Sequence, residues 1–181
     1  MDPFKILEKY YYTNSKTYAY LVAHSRKVAD KALASAGRLK RADIDLAFIE
    51  EASLLHDIGI FMVNAPKIGC IGPMEYVAHG YLGREILEKE GYPKHALVCE
   101  RHVGAGISVE EVEKYNLPLP KRDMLPVSIE EIIICWADKF YSKWPSNIQT
   151  EKPLDKVRAS VGKYGPEQLK RFDEWQEMFG G

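Results

Sequence analysis

Apolar residues recur along most of this chain at spacings of three and four, which is the period of an α-helix. In the segment expected to be helical from Lys16 to Ala36, this stripe includes Leu21, Val28 and Ala32, and Gly37 is suited to end the helix. Segments with the alternating pattern of a half-buried strand are scarce. The periodicity therefore predicts an all-α protein, folded as a helical bundle.

Capping signals mark further helices in the sequence. Pro93 is suited to the first turn of a helix that should carry His102. Two Ser-x-x-Glu strings have the form of a capping box, at Ser108–Glu111 and Ser128–Glu131. Further helices are predicted over Phe4–Tyr12, from Asp43 to the His56-Asp57 pair, and over Glu75–Glu90.

Length and charge limit what kind of protein this is. The chain has 181 residues, of which 46% are hydrophobic and 28% are charged, an ordinary balance for one globular domain. Its net charge is −1, from 25 basic and 26 acidic residues. Binding to duplex nucleic acid normally relies on a basic surplus, so it is not expected here.

Neither the N-terminal sequence nor the cysteines suggest a secreted or membrane protein. No apolar segment follows a basic start, and the longest strongly apolar run, Ile132–Ala137, is too short to span a bilayer. Cys70, Cys99 and Cys135 have neither CxxC spacing nor an even count. We expect a cytoplasmic protein without a membrane partner.

Histidine and aspartate residues lie on the apolar faces of the predicted helices. His24 shares the stripe of Leu21 and Val28, and Asp138 follows an apolar run directly. Burying one polar side chain without a partner costs roughly 1–3 kcal/mol, so several such groups need a common partner. A divalent metal ion is such a partner for imidazoles and carboxylates. The set consists of His24, His56, Asp57, His79, His102 and Asp138.

In sequence order, these residues resemble the HD superfamily of metal-dependent phosphohydrolases. The matching strings are His24 in His-Ser-Arg-Lys-Val-Ala, Leu-Leu-His56-Asp57-Ile-Gly59, and Ala-Asp138-Lys. The string from His56 to Gly59 is similar to that of the HDIG subgroup. The resemblance covers about residues 20–142, within one predicted domain over 1–181 that ends in a helical extension near 154–179.

The resemblance implies a dinuclear centre. Members with two metals add two histidines between the HD pair and the last aspartate, and His79 and His102 stand there. It implies one metal on His24, His56, Asp57 and Asp138, and a second on His79 and His102, with Asp57 bridging. Asp57, His79 and His102 are the predicted catalytic set. The metals would be divalent Fe, Mn, Zn, Ni or Co. We interpret the fifth histidine, His95, as facing solvent.

One departure argues against a particular branch of the superfamily. The cyclic-dinucleotide phosphodiesterases called HD-GYP have a lysine directly after HDIG, and this chain has Ile60. The string Gly91-Tyr92-Pro93 precedes His102 instead of following the histidines. Cyclic-dinucleotide hydrolysis is therefore disfavoured.

The resemblance implies hydrolysis of a phosphate mono- or diester, of a nucleotide or another small molecule, by a metal-activated water. Two alternatives stay open: an HD-fold di-iron oxygenase that cleaves a carbon bond, and a non-catalytic module that senses a nucleotide. A nearby cation would stabilise charge on the phosphoryl group. On position alone, the candidates are Lys67, Arg122 and Lys139.

Overall fold

The computed structural model describes residues 1–180, and helices make up nearly all of their regular secondary structure. The all-α prediction is confirmed. Nine α-helices lie in this part of the chain: α1 Pro3–Tyr10, α2 Lys16–Leu39, α3 Leu46–Leu55, α4 His79–Lys89, α5 Pro93–Arg101, α6 Val109–Lys114, α7 Ile129–Asp138, α8 Leu154–Val161 and α9 Pro166–Phe179. Two short strands, β1 Asn64–Ala65 and β2 Cys70–Ile71, pair antiparallel within the loop that follows α3. The last two helices lie in the predicted C-terminal extension.

The helix starts follow the capping chemistry of the sequence. The Ser108 side chain accepts a hydrogen bond from Glu111 N, and the Glu111 carboxylate accepts one from Ser108 N, which completes the predicted capping box. At α7 only the serine half forms, because the Glu131 carboxylate instead accepts from Val127 N and Arg101.

Two helix ends differ from the sequence-based expectation. Helix α2 continues past Gly37 to Leu39, and the left-handed backbone falls on Lys40, with φ of 51°. Helix α3 ends at Leu55, so His56 caps it and Asp57 precedes a 3-10 helix over Ile58–Met62. The HD pair therefore lies where a regular helix gives way to a tighter turn.

Glycine permits the close packing of that turn against α4. A Cβ atom on Gly59 would lie 2.4 Å from His79 O and 2.5 Å from Gly83 N. No side chain fits in this space, since real Cβ atoms essentially never come that close to backbone atoms. Helix α4 itself begins at His79, after a 3-10 turn over Tyr76–Ala78, and not at the predicted Glu75.

Three apolar clusters lie in the described part of the chain, of which two are large, and the third is a small one around Ile107, Val112 and Met124. The first surrounds Trp136 and Phe172 and joins α2, α7 and α9. The second joins α1, α4 and α5. On α2, Leu21 belongs to the second cluster and Val28 to the first, and His24 lies between them. The α2 stripe thus passes from one apolar cluster to the other at the histidine.

The interpretation of His95 as solvent-facing is wrong. Its side chain is only 11% exposed, because α5 packs it against α3, and its Nε2 lies 3.2 Å from Glu51 Oε2. The Phe48 ring covers it at a centroid distance of 4.8 Å. Within residues 1–180, no helix combines the length and apolarity required to cross a lipid bilayer.

Candidate metal centre

Six buried polar side chains from five helices meet in the interior. The exposed fraction is zero for His24, His56 and Asp57, 2% for His79 and His102, and 6% for Asp138. His24 comes from the middle of α2, whereas the other five lie at helix ends or just beyond them. All six predicted positions are thus brought together.

One oxygen of Asp57 faces two imidazoles. Asp57 Oδ1 lies 3.3 Å from His79 Nε2 and 3.2 Å from His102 Nε2. The two Nε2 atoms are 3.1 Å apart. Ligands bound tetrahedrally at 2.0–2.1 Å from zinc are separated by about 3.3 Å, so this triangle has the size of a metal ligand set.

The other oxygen of Asp57 faces the remaining ligand candidates. Asp57 Oδ2 lies 3.3 Å from His56 Nε2 and 3.5 Å from His24 Nε2. On the far side of these rings, Asp138 Oδ1 lies 3.0 Å from His24 Nε2 and 3.5 Å from His56 Nε2. The six side chains therefore form two groups, and Asp57 presents one oxygen to each.

Hydrogen bonds orient three of the four imidazoles. The Nδ1 atoms of His56, His79 and His102 lie 2.6, 2.6 and 2.7 Å from the carbonyl oxygens of Ser53, Tyr76 and Cys99, three residues earlier in each case. A carbonyl only accepts, so each Nδ1 carries a proton and each Nε2 points to the centre, where it presents a lone pair whenever the ring is neutral. Metal-binding histidines are commonly held in this way.

The centre fits a divalent cation. Both Asp57 oxygens are buried without a well-aligned hydrogen bond from any described residue, although Lys143 Nζ lies 3.0 Å from Oδ2. Unsatisfied acceptors at this depth would each cost about 1–3 kcal/mol, and a metal ion would satisfy them together. His24, His56 and Asp138 have ligand atoms within 4.8 Å of one another, as do His56, Asp57 and His102. These buried clusters are compatible with divalent metal binding.

In the metal-free protein, electrostatics favours the neutral state for some ligand candidates and the charged state for others. Burial would lower the pKa of His56, but Asp57 and Asp138 outweigh it and raise this pKa to about 9. Burial lowers the pKa of His24 to about 4 and that of His102 to about 3, so both rings are neutral near pH 7. Burial would raise the pKa of Asp57, but the attraction of His56 and Lys143 outweighs it and holds the carboxyl ionised. For Asp138, burial is likewise outweighed, here by Lys139 and Lys143.

Lys143 is a cation of the centre that no sequence pattern singled out. Its Nζ lies 3.0 Å from Asp57 Oδ2 and 3.7 Å from Asp138 Oδ1. Helix α7 ends at Asp138, so no helical period indicates where a residue five positions later will point. The only sequence feature that could have indicated Lys143 was that it follows Asp138 closely. Lys139 also follows Asp138 closely, so this feature did not distinguish the two lysines.

The three predicted cations lie in different surroundings. Lys139 donates to Asp138 Oδ2 at 2.7 Å and to the His102 carbonyl at 2.8 Å, so it borders the centre. Lys67 is exposed, and its Nζ lies 5.4 Å from the Trp144 ring centroid. Arg122 pairs with the buried carboxylate of Glu100. Neither Lys67 nor Arg122 lines the cavity beside the centre, and their phosphate-binding role stays a prediction.

A cavity of about 500 Å³ opens beside the six side chains. Its lining includes three of the six side chains, His79, His102 and Asp138. It also includes three lysines, Lys139, Lys143 and Lys152. Its other walls are contributed largely by the segment after α7, including Trp144, Val157, Ser160, Val161 and Tyr164. This cavity therefore connects the lysine side chains to the candidate ligand residues.

The Val103–Gly106 segment, whose two glycines favour flexibility, is held in place by α9. Gln168 is 4% exposed, and its Oε1 accepts a hydrogen bond from Ala105 N at 2.9 Å. Arg171 donates to the carbonyls of Ala105 and Gly106, each at 2.9 Å. Helix α9 thus fixes the loop that directly follows His102.

One family model and several known proteins are similar to this chain. The family model for the HD domain matches residues 21–142. An uncharacterized protein of Methanocaldococcus jannaschii is 34% identical over 151 residues, which cover 81% of this chain and 80% of that protein. No solved structure matches the chain.

Two relatives have a name that states an activity. A tRNA (cytidine(56)-2'-O)-methyltransferase of Thermoplasma volcanium is 33% identical over 124 residues, which cover 68% of this chain and 32% of that enzyme. The enzyme of the same name from Picrophilus torridus is 35% identical over 99 residues, which cover 54% of this chain and 25% of that enzyme. The chain therefore spans a third or less of the length of these two relatives.

Proposed function

The chain belongs to the HD domain family, and from this premise and the geometry of the centre we propose that it is a metal-dependent phosphohydrolase. Its substrate would be a small-molecule phosphate ester, in particular one that contains a nucleotide. The observation that supports this most is the position of Asp57. Each of its oxygens faces two imidazole Nε2 atoms, beside a cavity lined by lysines.

The ligands would divide between the two oxygens of Asp57. His24, His56 and Asp138 would hold one metal on the Oδ2 side, and His79 and His102 the second on the Oδ1 side. When bound, such metals lower the pKa of a water molecule and neutralise phosphoryl charge. The metal could be iron, manganese, zinc, nickel or cobalt, because all accept mixed imidazole and carboxylate ligands.

The lysines would orient the phosphate group. Lys139 is anchored to Asp138 and to the His102 carbonyl, which places its ammonium group at the border between the centre and the cavity. Lys143 lies against both carboxylates and also lines the cavity. Their positive charge would favour a dianionic phosphate over a neutral molecule, most strongly in a cavity shielded from bulk water.

The cavity lining favours hydrolysis over carbon-bond oxidation. The oxygenase alternative shares the same His/Asp ligand set, so the ligands do not separate the two reactions. Three lysines beside the centre match an anionic phosphate ester, whereas oxidation of an uncharged carbon substrate has no need of them. A purely sensing module would not need six buried side chains arranged as two ligand groups.

The names of two relatives support a nucleotide-containing substrate. Both are tRNA methyltransferases, and they match this chain over only 32% and 25% of their own length. An HD-type segment within a protein that acts on tRNA is consistent with chemistry on a nucleotide phosphate. Methyl transfer is not proposed for this chain.

The test is metal analysis of the purified protein, followed by assay against phosphate mono- and diesters with added Mn, Co, Fe, Ni or Zn. We expect metal-dependent release of phosphate or of a nucleotide, and loss of activity after chelation that the same metal restores. Hydrolysis that persists in chelator, or oxygen uptake coupled to substrate loss, would contradict the proposal.

A further inference from the structure

The hydroxyl of Tyr11 contacts the backbone of the turn that carries the HD pair. Its Oη donates a hydrogen bond to the Ile58 carbonyl at 2.6 Å, and this contact is buried. Ile58 directly follows Asp57 and opens the 3-10 helix over Ile58–Met62. A residue 47 positions earlier in the chain therefore holds the backbone next to the aspartate whose two oxygens face the two ligand groups.

Several contacts fix where this hydroxyl lies. Tyr11 N donates to Leu7 O at 2.9 Å at the end of α1, and the residue is only 6% exposed. Its ring meets the Phe61 ring edge-on, with centroids 5.2 Å apart, and its centroid lies 6.5 Å from that of Tyr18. Because close packing limits the movement of the ring, the hydroxyl stays at the Ile58 carbonyl.

The direction of the Asp57 side chain depends on this turn, because Asp57 lies outside regular helix. Its backbone has φ of −104° and ψ of 12°, near the sparsely populated bridge region. Helical spacing therefore does not determine where its carboxylate points, and backbone contacts of the next residues do. One such contact is the packing of Gly59 against α4, and the other is the hydrogen bond from Tyr11 to Ile58.

We propose that Tyr11 is a positioning residue of the metal centre, which holds the Ile58 carbonyl and thereby the direction in which Asp57 presents its two oxygens. The inference rests on the proposed metal-dependent function, because it requires a metal ion on Asp57. Tyr11 is not among the candidate ligands and does not line the cavity beside the centre. It acts on the metal through the backbone and the side chain of Asp57.

This role belongs to a helix outside the segment that matches the HD domain model, residues 21–142. Ile6, Leu7 and Tyr11 belong to the same apolar cluster as Leu55 and Ile58, which flank the HD pair. The N-terminal helix would thus contribute to the geometry of the centre, although all six candidate ligands lie in the matched segment.

The neighbouring tyrosine provides a matched control. Tyr10 is the last residue of α1, its hydroxyl donates to Glu90 Oε1 at 2.8 Å, and its ring centroid lies 6.3 Å from that of Phe61. Glu90 caps the end of α4 and is not a candidate ligand. Tyr10→Phe and Tyr11→Phe each remove one hydrogen-bonding hydroxyl from the same helix end. Only the second removes a contact with the turn that carries Asp57.

The experiment titrates the chelated wild-type chain and both variants with Co²⁺, whose visible absorption reports the ligand geometry around the ion. The dissociation constant and the spectrum are measured at a temperature at which circular dichroism shows each protein to be folded. Steady-state kcat and KM for a phosphate ester are then compared among the metal-loaded proteins.

We expect Tyr11→Phe to bind Co²⁺ about tenfold more weakly, with an altered spectrum, because residues that support metal ligands affect metal affinity by roughly this factor. Its kcat should fall while KM changes little. Tyr10→Phe should match the wild type in affinity, spectrum and kcat. This difference is not expected if the Tyr11 hydroxyl only stabilises the fold.

Unchanged Co²⁺ affinity and spectrum in Tyr11→Phe, or equal changes in both variants, would overturn the inference. So would a Tyr11→Phe protein that does not fold, since the hydroxyl would then serve the fold alone. If the wild type binds Co²⁺ but hydrolyses no ester, the proposed function fails, and the affinity and spectrum still decide the role of Tyr11. A wild type that binds no metal would end both proposals.

Discussion

His79 and His102 face each other with their Nε2 atoms 3.1 Å apart, and each Nδ1 is hydrogen bonded to a backbone carbonyl. Both Nε2 atoms therefore present lone pairs, and two lone pairs at this distance repel unless a proton or a cation lies between them. Asp57 Oδ1 completes the triangle. A metal ion would remove this repulsion.

The first prediction follows from that triangle. His79→Ala or His102→Ala should bind one metal ion fewer than the wild type and lose most phosphohydrolase activity, with the helical fold retained. Metal analysis and far-UV circular dichroism check this. His95→Ala is the matched control, because His95 lies between Phe48 and Glu51, and it should keep the full metal content. Unchanged stoichiometry in both test variants would contradict a second metal.

The second prediction concerns Asp57, whose two oxygens face the two imidazole groups. Asp57→Asn keeps the shape of the side chain but removes its charge, so both metals should be weakened together and activity should fall to background. Metal analysis and calorimetric titration measure this. Asp30→Asn, on the exposed face of α2, serves as the control. Full occupancy in the Asp57 variant would rule out a bridging role.

The third prediction concerns Lys143. Lys143→Ala should lower kcat/KM for phosphate esters by about 100-fold, the usual effect of losing one charge-stabilising group, while metal content stays high. Lys67→Ala and Arg122→Ala test the cations that sequence position suggested. Lys121→Ala is the control, since its side chain is 75% exposed and pairs with Glu113. A larger loss from Arg122→Ala than from Lys143→Ala would contradict our choice of cation.

The fourth prediction is a pH dependence of the metal-free protein. Burial lowers the pKa of His24 to about 4 and that of His102 to about 3, against an ordinary histidine pKa of 6.5. Between pH 6.5 and 4 the unfolded chain therefore binds more protons than the folded one, and stability falls as the pH falls.

His56 acts in the opposite direction above this range. Burial alone would lower its pKa, but Asp57 and Asp138 outweigh burial and raise it to about 9. Stability from this group is present below pH 6.5 and lost as the pH rises through 9. Denaturant unfolding of the chelated protein should thus show the highest stability near about pH 6.5, and a value a few kcal/mol lower at about pH 4.5. A flat profile across this interval would contradict the buried neutral state of His24 and His102.

The fifth prediction concerns the contact between α9 and the loop after His102. Gln168→Ala leaves Ala105 N without its buried acceptor, so the free energy of unfolding should fall by about 1–3 kcal/mol. If the loop positions His102, kcat should also fall at saturating substrate, under conditions where the variant is fully folded. Gln149→Ala, at an exposed position, is the control. A stability loss with unchanged kcat would restrict Gln168 to a structural role.

Features that depend on nearby residues could be predicted from the sequence. The helical period, the capping box at Ser108 and the first-turn Pro93 all act within one or two turns, and each matches the structure. The burial of His24 and Asp138 followed in the same way, from the apolar neighbours on their own helices. The six candidate ligands, from His24 to Asp138, could be assigned to one common centre only through the family resemblance. The spacing of residues along one helix carries no information about which helices meet.

Only the tertiary structure decided the properties that depend on how helices pack. Asp57 divides its two oxygens between two imidazole groups in the turn after α3, where Gly59 packs against α4. Lys143 reaches the same carboxylate from an irregular segment, where side-chain direction has no period to follow. The cavity beside the candidate metal centre combines residues near His102 with residues near Tyr164, which are distant in sequence. Its shape and charge arise from the packing of α8 and α9 against the rest of the chain, and the energies that determine such packing are nonlocal.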